Sequence, residues 1–163
     1  MKNETIIERT TPVNYSNAMS TGLMASIGMI AFLLVLELVS GPDFIGLKFL
    51  KYLVLAIPFW IGIQKLKENT KFAKRFFQKG ISYAAVAAGT AALIMVVAYA
   101  VTIPFEGINF ATITGNMTEL HTATSNLMIP FVSGMMLFME VFVMAMITSF
   151  AILLFKYDHA ATV

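Results

Sequence analysis

The sequence predicts an all-α fold, an integral membrane four-helix transmembrane bundle. Four apolar runs, 18–39, 44–66, 81–103 and 127–155, each reach a spanning length. A helix rising 1.5 Å per residue needs about 20 mostly apolar residues to cross roughly 30 Å of hydrocarbon. Only 12% of the 163 residues are charged, against about 25% in ordinary soluble domains, and 58% are hydrophobic. Mean hydropathy is +0.80. The runs and their connections use nearly the whole chain, so residues 1–163 read as a single transmembrane domain.

The run 18–39 follows Lys2 and Arg9 at a distance, exceeds a signal-peptide core in length and lacks an A-x-A-like exit. It therefore reads as an uncleaved first span. Gly22, Ser26 and Gly28 give it small positions that allow a neighbouring helix to come close. Near its end Glu37 stands three residues before the turn Ser40-Gly41-Pro42-Asp43. That position fits an interfacial anchor reaching water, Lys48 or Lys51, and Glu37 is the lesser candidate for an ion site.

In the run 44–66, Lys48 can snorkel to the interface with its stem along the helix. Lys51, one turn deeper, strains that explanation and implies a tilt or a thin membrane. Pro58 frees a carbonyl mid-span and is expected to kink the helix. Trp60 lies too deep for an interfacial belt and is expected to pack between helices.

The next connection is the basic one. Lys65, Lys67, Lys71, Lys74, Arg75 and Lys79 face one acid, Glu68. Phe72 and Phe76, four apart, sit beside Phe77. The segment could form a short helix lying flat, with Lys71, Lys74, Arg75 and Lys79 toward lipid headgroups. It could equally be a helix-capping loop obeying the positive-inside bias.

In the third run Ala84, Ala88 and Ala92 lie four apart, with Ala85 and Gly89 forming a second row and Thr90 able to bond its own backbone. Such spacing predicts close packing of the first and third helices at the bundle centre, or contact with another subunit. The connection 104–126 carries no basic residue, only Glu106 and Glu119. Its 23 residues are long for pure connection, and Phe105, Ile108, Phe110 and Ile113 predict that it folds back onto the membrane face or a partner. His121 with Glu119 does not make a metal site. Asn116-Met117-Thr118 is a short match to a glycosylation acceptor.

The fourth run carries Glu140 close to its middle. A carboxylate at that depth costs several kcal/mol unless it pairs, protonates or faces a polar cavity. It is thus either a proton or small-ion site or a structural group joining two helices, and no partner of opposite charge is evident among residues that all lie near helix ends. Ser133, Met136, Glu140 and Met144 share its stripe. Met128, Met135, Met136, Met139, Met144 and Met146 point round the helix without Cys or His, as gap-filling methionines do, so a soft-metal path is not expected.

Charge asymmetry sets the topology. With both termini and the 64–80 connection on the cytoplasmic side, nine basic residues lie inside and two outside. Four spans place both termini together, so the N-terminus and C-terminus read as cytoplasmic. The chain lacks cysteine, which excludes disulfides, thiol nucleophiles and Cys-based metal sites. Phosphate-binding glycine loops, HExxH pairs and Ser-His-Asp sets are missing, so no enzyme, metal or cofactor is expected. A formal charge of +2 gives no reason to expect nucleic acid.

Several features recur together: a Gly-Pro turn after the first span, the Phe76-Phe77-Gln78-Lys79-Gly80 approach to a small-residue third span, a long outer loop, and a last span with Glu140 and Ser149 before Lys156. In this the chain resembles a bacterial family of small four-span inner-membrane proteins of unknown function. The resemblance implies the fold and a bacterial cytoplasmic-membrane location. The functional expectation is a non-catalytic accessory or scaffold subunit of a larger membrane complex, in contact with lipids and other subunits. The alternative is an oligomeric proton or small-ion conduit centred on Glu140.

Overall fold

The computed structural model describes residues 15–40, 50–68, 73–102 and 128–161. They form α1 (Tyr15–Ser40), α2 (Lys51–Glu68), α3 (Ala73–Thr102) and α4 (Met128–Ala161). Three contain stretches long and apolar enough to cross a membrane: Tyr15–Leu36 in α1, Phe76–Val101 in α3 and Phe131–Tyr157 in α4. Over its described length α2 does not, because its 18 residues include Lys51, Lys65, Lys67 and Glu68. The beginning of the expected 44–66 run lies outside the described residues, as does the long 104–126 connection with His121 and Glu119.

Contacts fix the directions. Gly28 of α1 faces Val54 of α2, and Thr21 faces Gly62, so α1 and α2 run antiparallel. Gly80 meets Leu153 and Gly134 meets Val96 and Tyr99, so α3 and α4 are antiparallel as well. The two hairpins pack side by side, α3 on α1 and α2 on α4, with α2 and α3 touching across the middle. Both α2 and α4 start at one end, here termed upper, and finish at the lower end.

The core is built from the side chains that the periodicity turns inward: Ala18, Ala25, Met29 and Leu33 of α1, Leu55, Phe59 and Ile63 of α2, Ala87, Ala91 and Met95 of α3, Val141 and Ala145 of α4. Small residues on α3 let the other helices close around it. Ala84, Ala88 and Ala92 are buried, and a Cβ on Gly22 would collide with the Ala87 carbonyl and lie 2.8 Å from Thr90 Cβ. The expected contact of α1 with α3 is therefore present. Ser26 is buried and donates to the Leu23 carbonyl at 2.8 Å, and Thr90 donates to Val86 at 2.8 Å. Each hydroxyl thus meets its hydrogen-bonding need on its own helix. Two small positions behave differently from expectation. Gly28 approaches α2 rather than α3, with Val54 Cγ1 3.1 Å from an added Cβ, and nothing lies within 4 Å at Gly89. Ala-rich spacing marks a smooth helix without saying which neighbour occupies each groove.

The basic connection also departs from expectation. Residues 73–80 are neither a separate flat helix nor a loop; they are the first turns of α3. Phe76 is buried in the core, and Phe77 packs edge-on against Phe150 and Tyr157 with centroids 5.9 and 6.0 Å away. α4 continues to Ala161, past the expected end at 155, and so brings Tyr157 as well as Phe150 against the Phe77 ring. Gly80 does not break the helix; Leu153 occupies the space its missing side chain leaves. Lys71 lies outside the described residues, and so do the side chains of Lys74 and Arg75.

Gly22→Ala should lower stability by about 1–3 kcal/mol through overpacking against backbone, read as a lower Tm in detergent by circular dichroism. Gly89→Ala should be neutral or raise the Tm, since space is open there and alanine favours helix by up to about 1 kcal/mol.

Candidate functional site

Helix α2 opens on two polar side chains that face inward. Lys51 is 2% exposed and Tyr52 is buried. Across the interface α4 presents Glu140, whose side chain is 23% exposed. Lys51 Nζ lies 3.0 Å from Glu140 Oε1, and the Tyr52 hydroxyl donates a short hydrogen bond to the same oxygen. The Lys51 ammonium also sits 5.0 Å from the Tyr52 ring centroid, within cation–π range.

The geometry follows from register. Lys67 Nζ donates to the Lys156 carbonyl at 3.1 Å near the lower end. From 51 to 67 and from 140 to 156 are both 16 residues, so α2 and α4 run parallel and in step between the two contacts. Glu140 lies 12 residues beyond Met128, about 18 Å along α4 at 1.5 Å per residue. It stands four residues above residue 144, the centre of the apolar stretch Phe131–Tyr157. The first turn of α2 is thereby held level with the upper half of that stretch.

Lys51 is the residue that sequence reasoning missed. Instead of snorkelling to the interface it is buried and bonded to Glu140, and so supplies the opposite charge Glu140 was expected to lack. The signal was present as two opposite charges that each sat too deep for their surroundings. Their equal depth depends on helix register, which spacing within one helix does not reveal. The Glu37 side chain lies outside the described set.

A second polar contact joins α1 and α3 lower down. Tyr83 of α3 bonds Thr21 at 2.5 Å and donates to the Asn17 carbonyl at 3.2 Å. Gly62 of α2 is the clearance for this pair: a Cβ there would strike the Tyr83 hydroxyl and come within 2.7 Å of Thr21 Oγ1. Among the described residues no buried side-chain nitrogen or oxygen lacks a hydrogen-bond partner, and no three His, Asp or Glu side chains gather as a metal-holding group. On α4, Met135, Met136 and Met139 are exposed, so they do not line an interior path.

Chemically, the Lys51–Tyr52–Glu140 cluster is a neutralised charge pair with a phenol attached. It can clamp α2 to α4, and its hydrogen-bonded oxygens and nitrogen can exchange protons. Compared with family models, curated proteins and solved structures, the chain matches none. Function must therefore be argued from this arrangement.

Glu140→Gln should destabilise the bundle by about 2–4 kcal/mol, because it leaves a buried ammonium uncompensated, with some relief from partial exposure. Tyr52→Phe should cost about 1 kcal/mol. Lys51→Met combined with Glu140→Leu should recover most of the loss, since neither charge is then stranded. Equilibrium unfolding in mixed micelles measures all three.

Proposed function

We propose that this chain is a four-span, non-catalytic subunit of a bacterial cytoplasmic membrane, with both termini cytoplasmic, that supports or assembles a larger membrane complex. α2 with the residues before it is the fourth span in this reading. One contrast supports it best: among the described residues every buried polar side-chain atom finds a partner, while many large apolar side chains face outward. Leu23, Met24 and Ile27 on α1, Leu93 on α3, and Met135 and Met139 on α4 are exposed. A bundle that satisfies its own polar interior and offers such flanks is equipped to pack in lipid and against other subunits. The Lys51–Glu140 pair then serves to hold α2 in place.

The conduit reading keeps one observation in its favour. Glu140 is partly exposed and joined to Tyr52, so a proton could move between the acid and the bundle edge. Four helices rarely enclose a pore, so this reading requires an oligomer.

Purification in a gentle detergent separates the two. The accessory reading predicts stoichiometric recovery with unrelated membrane subunits and no proton flux in liposomes. A homogeneous ring of this chain, with flux abolished by Glu140→Gln in rings that still assemble but not by Tyr83→Phe, would replace it with the conduit.

A further inference from the structure

The lower end of the α2–α4 seam carries a cluster that the ion pair does not involve. Lys156 Nζ lies 4.2 Å from the centroid of the Trp60 ring, and Trp60 stacks at 5.6 Å on Phe155. Lys67 Nζ reaches the Lys156 carbonyl at 3.1 Å. An ammonium has three donors, so that bond leaves Lys67 capacity for an anion. Trp60, expected to pack between helices, does stack on Phe155 of α4, yet it stays 38% exposed, and Phe155 is exposed beside it.

Helix spacing extends the cluster in both directions. Ile57, Trp60 and Ile61 lie on one face of α2, all exposed, and the same face continues through Gln64 to Lys67. An apolar strip therefore runs into a cationic end. Among the residues whose side chains are described, this end carries Lys65, Lys67, Lys79 and Lys156 against Glu68, and the same helix ends also carry Lys74, Arg75 and Asp158. Water alone gives no reason for Ile57, Trp60, Ile61 and Phe155 to be exposed together next to two lysines. A molecule with a hydrocarbon tail and an anionic head satisfies both halves at once.

We propose that the Trp60–Phe155–Lys156–Lys67 cluster is a binding site for an anionic phospholipid, its phosphate between Lys67 and Lys156 and an acyl chain along Ile57, Trp60 and Ile61. The proposal rests on the membrane placement given above. The phosphate accepts from both ammonium groups, and the tryptophan face orients Lys156 toward it. The cation–π contact fixes a long, mobile side chain that would otherwise have to be ordered on binding.

Trp60 is the chain's single tryptophan, which makes it a direct probe. The purified chain is reconstituted in phosphatidylcholine bilayers containing equal mole fractions of either dibrominated phosphatidylglycerol or dibrominated phosphatidylcholine, and Trp60 fluorescence is recorded. Brominated phosphatidylglycerol should quench at a several-fold lower mole fraction than brominated phosphatidylcholine. Lys156→Gln and Lys67→Gln should each erode that preference by up to about fivefold, the weight of one lysine at an anionic surface. Lys156→Arg should retain it. Equal quenching by the two lipids would overturn the site while leaving the membrane placement standing. Quenching by neither would overturn both, since Trp60 would then not face acyl chains.

Discussion

A lysine ammonium withdrawn from water must meet an anion, and the arrangement of this chain depends on how Lys51 does so. It lies at the first turn of the least apolar helix, 2% exposed, and meets Glu140 of α4 at 3.0 Å. Each is costly alone: removing one partner of a buried ion pair leaves an uncompensated charge at about 3–5 kcal/mol, somewhat less where the group is partly exposed. Together they neutralise one another, and the Tyr52 hydroxyl adds a donor to the shared carboxylate oxygen. The pair is specific as well as compensating, because it admits one register of α2 against α4.

That register carries the rest of the packing. With Lys51 level with Glu140, Lys67 arrives at the Lys156 carbonyl, and the Trp60 ring comes within reach of the Lys156 ammonium. The α1 side is fixed differently, by close approach at Gly22 and by the Thr21–Tyr83 contact in the clearance left by Gly62. One seam is thus held by charge and the other by small residues and a neutral hydroxyl pair. Where hydrocarbon surrounds helices, apolar burial discriminates poorly between partners, so polar contacts and close packing must supply the specificity.

The helical class and three apolar segments were legible from composition and run length, because both depend on local sequence. So was the contact of α1 with α3, since Gly22 is small enough for backbone approach and α3 is alanine-rich. Less local properties were not legible. Residues 73–80 continue α3, and Phe77 there packs on Phe150 and on Tyr157 of an α4 longer than its apolar run, a contact that local spacing does not reveal. The openness at Gly89 depends on where neighbouring helices happen to lie. At the candidate site, Glu140 stood out by its depth, but Lys51 did not stand out as its partner, because their levels match only after two helices 89 positions apart in sequence are aligned. A charge that fits its own helix badly is best read as half of a pair, with the other half sought at the same height elsewhere.

The most direct measurement is a charge exchange at the pair. Lys51→Glu alone and Glu140→Lys alone each place two like charges at the contact, and both chains should be strongly destabilised in detergent and poorly retained in the membrane. The chain carrying both substitutions restores opposite charges, and Tyr52, whose hydroxyl can accept as well as donate, can serve the relocated ammonium. Its unfolding midpoint should return most of the way to that of the native chain. A double variant as unstable as the sum of the two single losses would show that α2 is not held by this interaction.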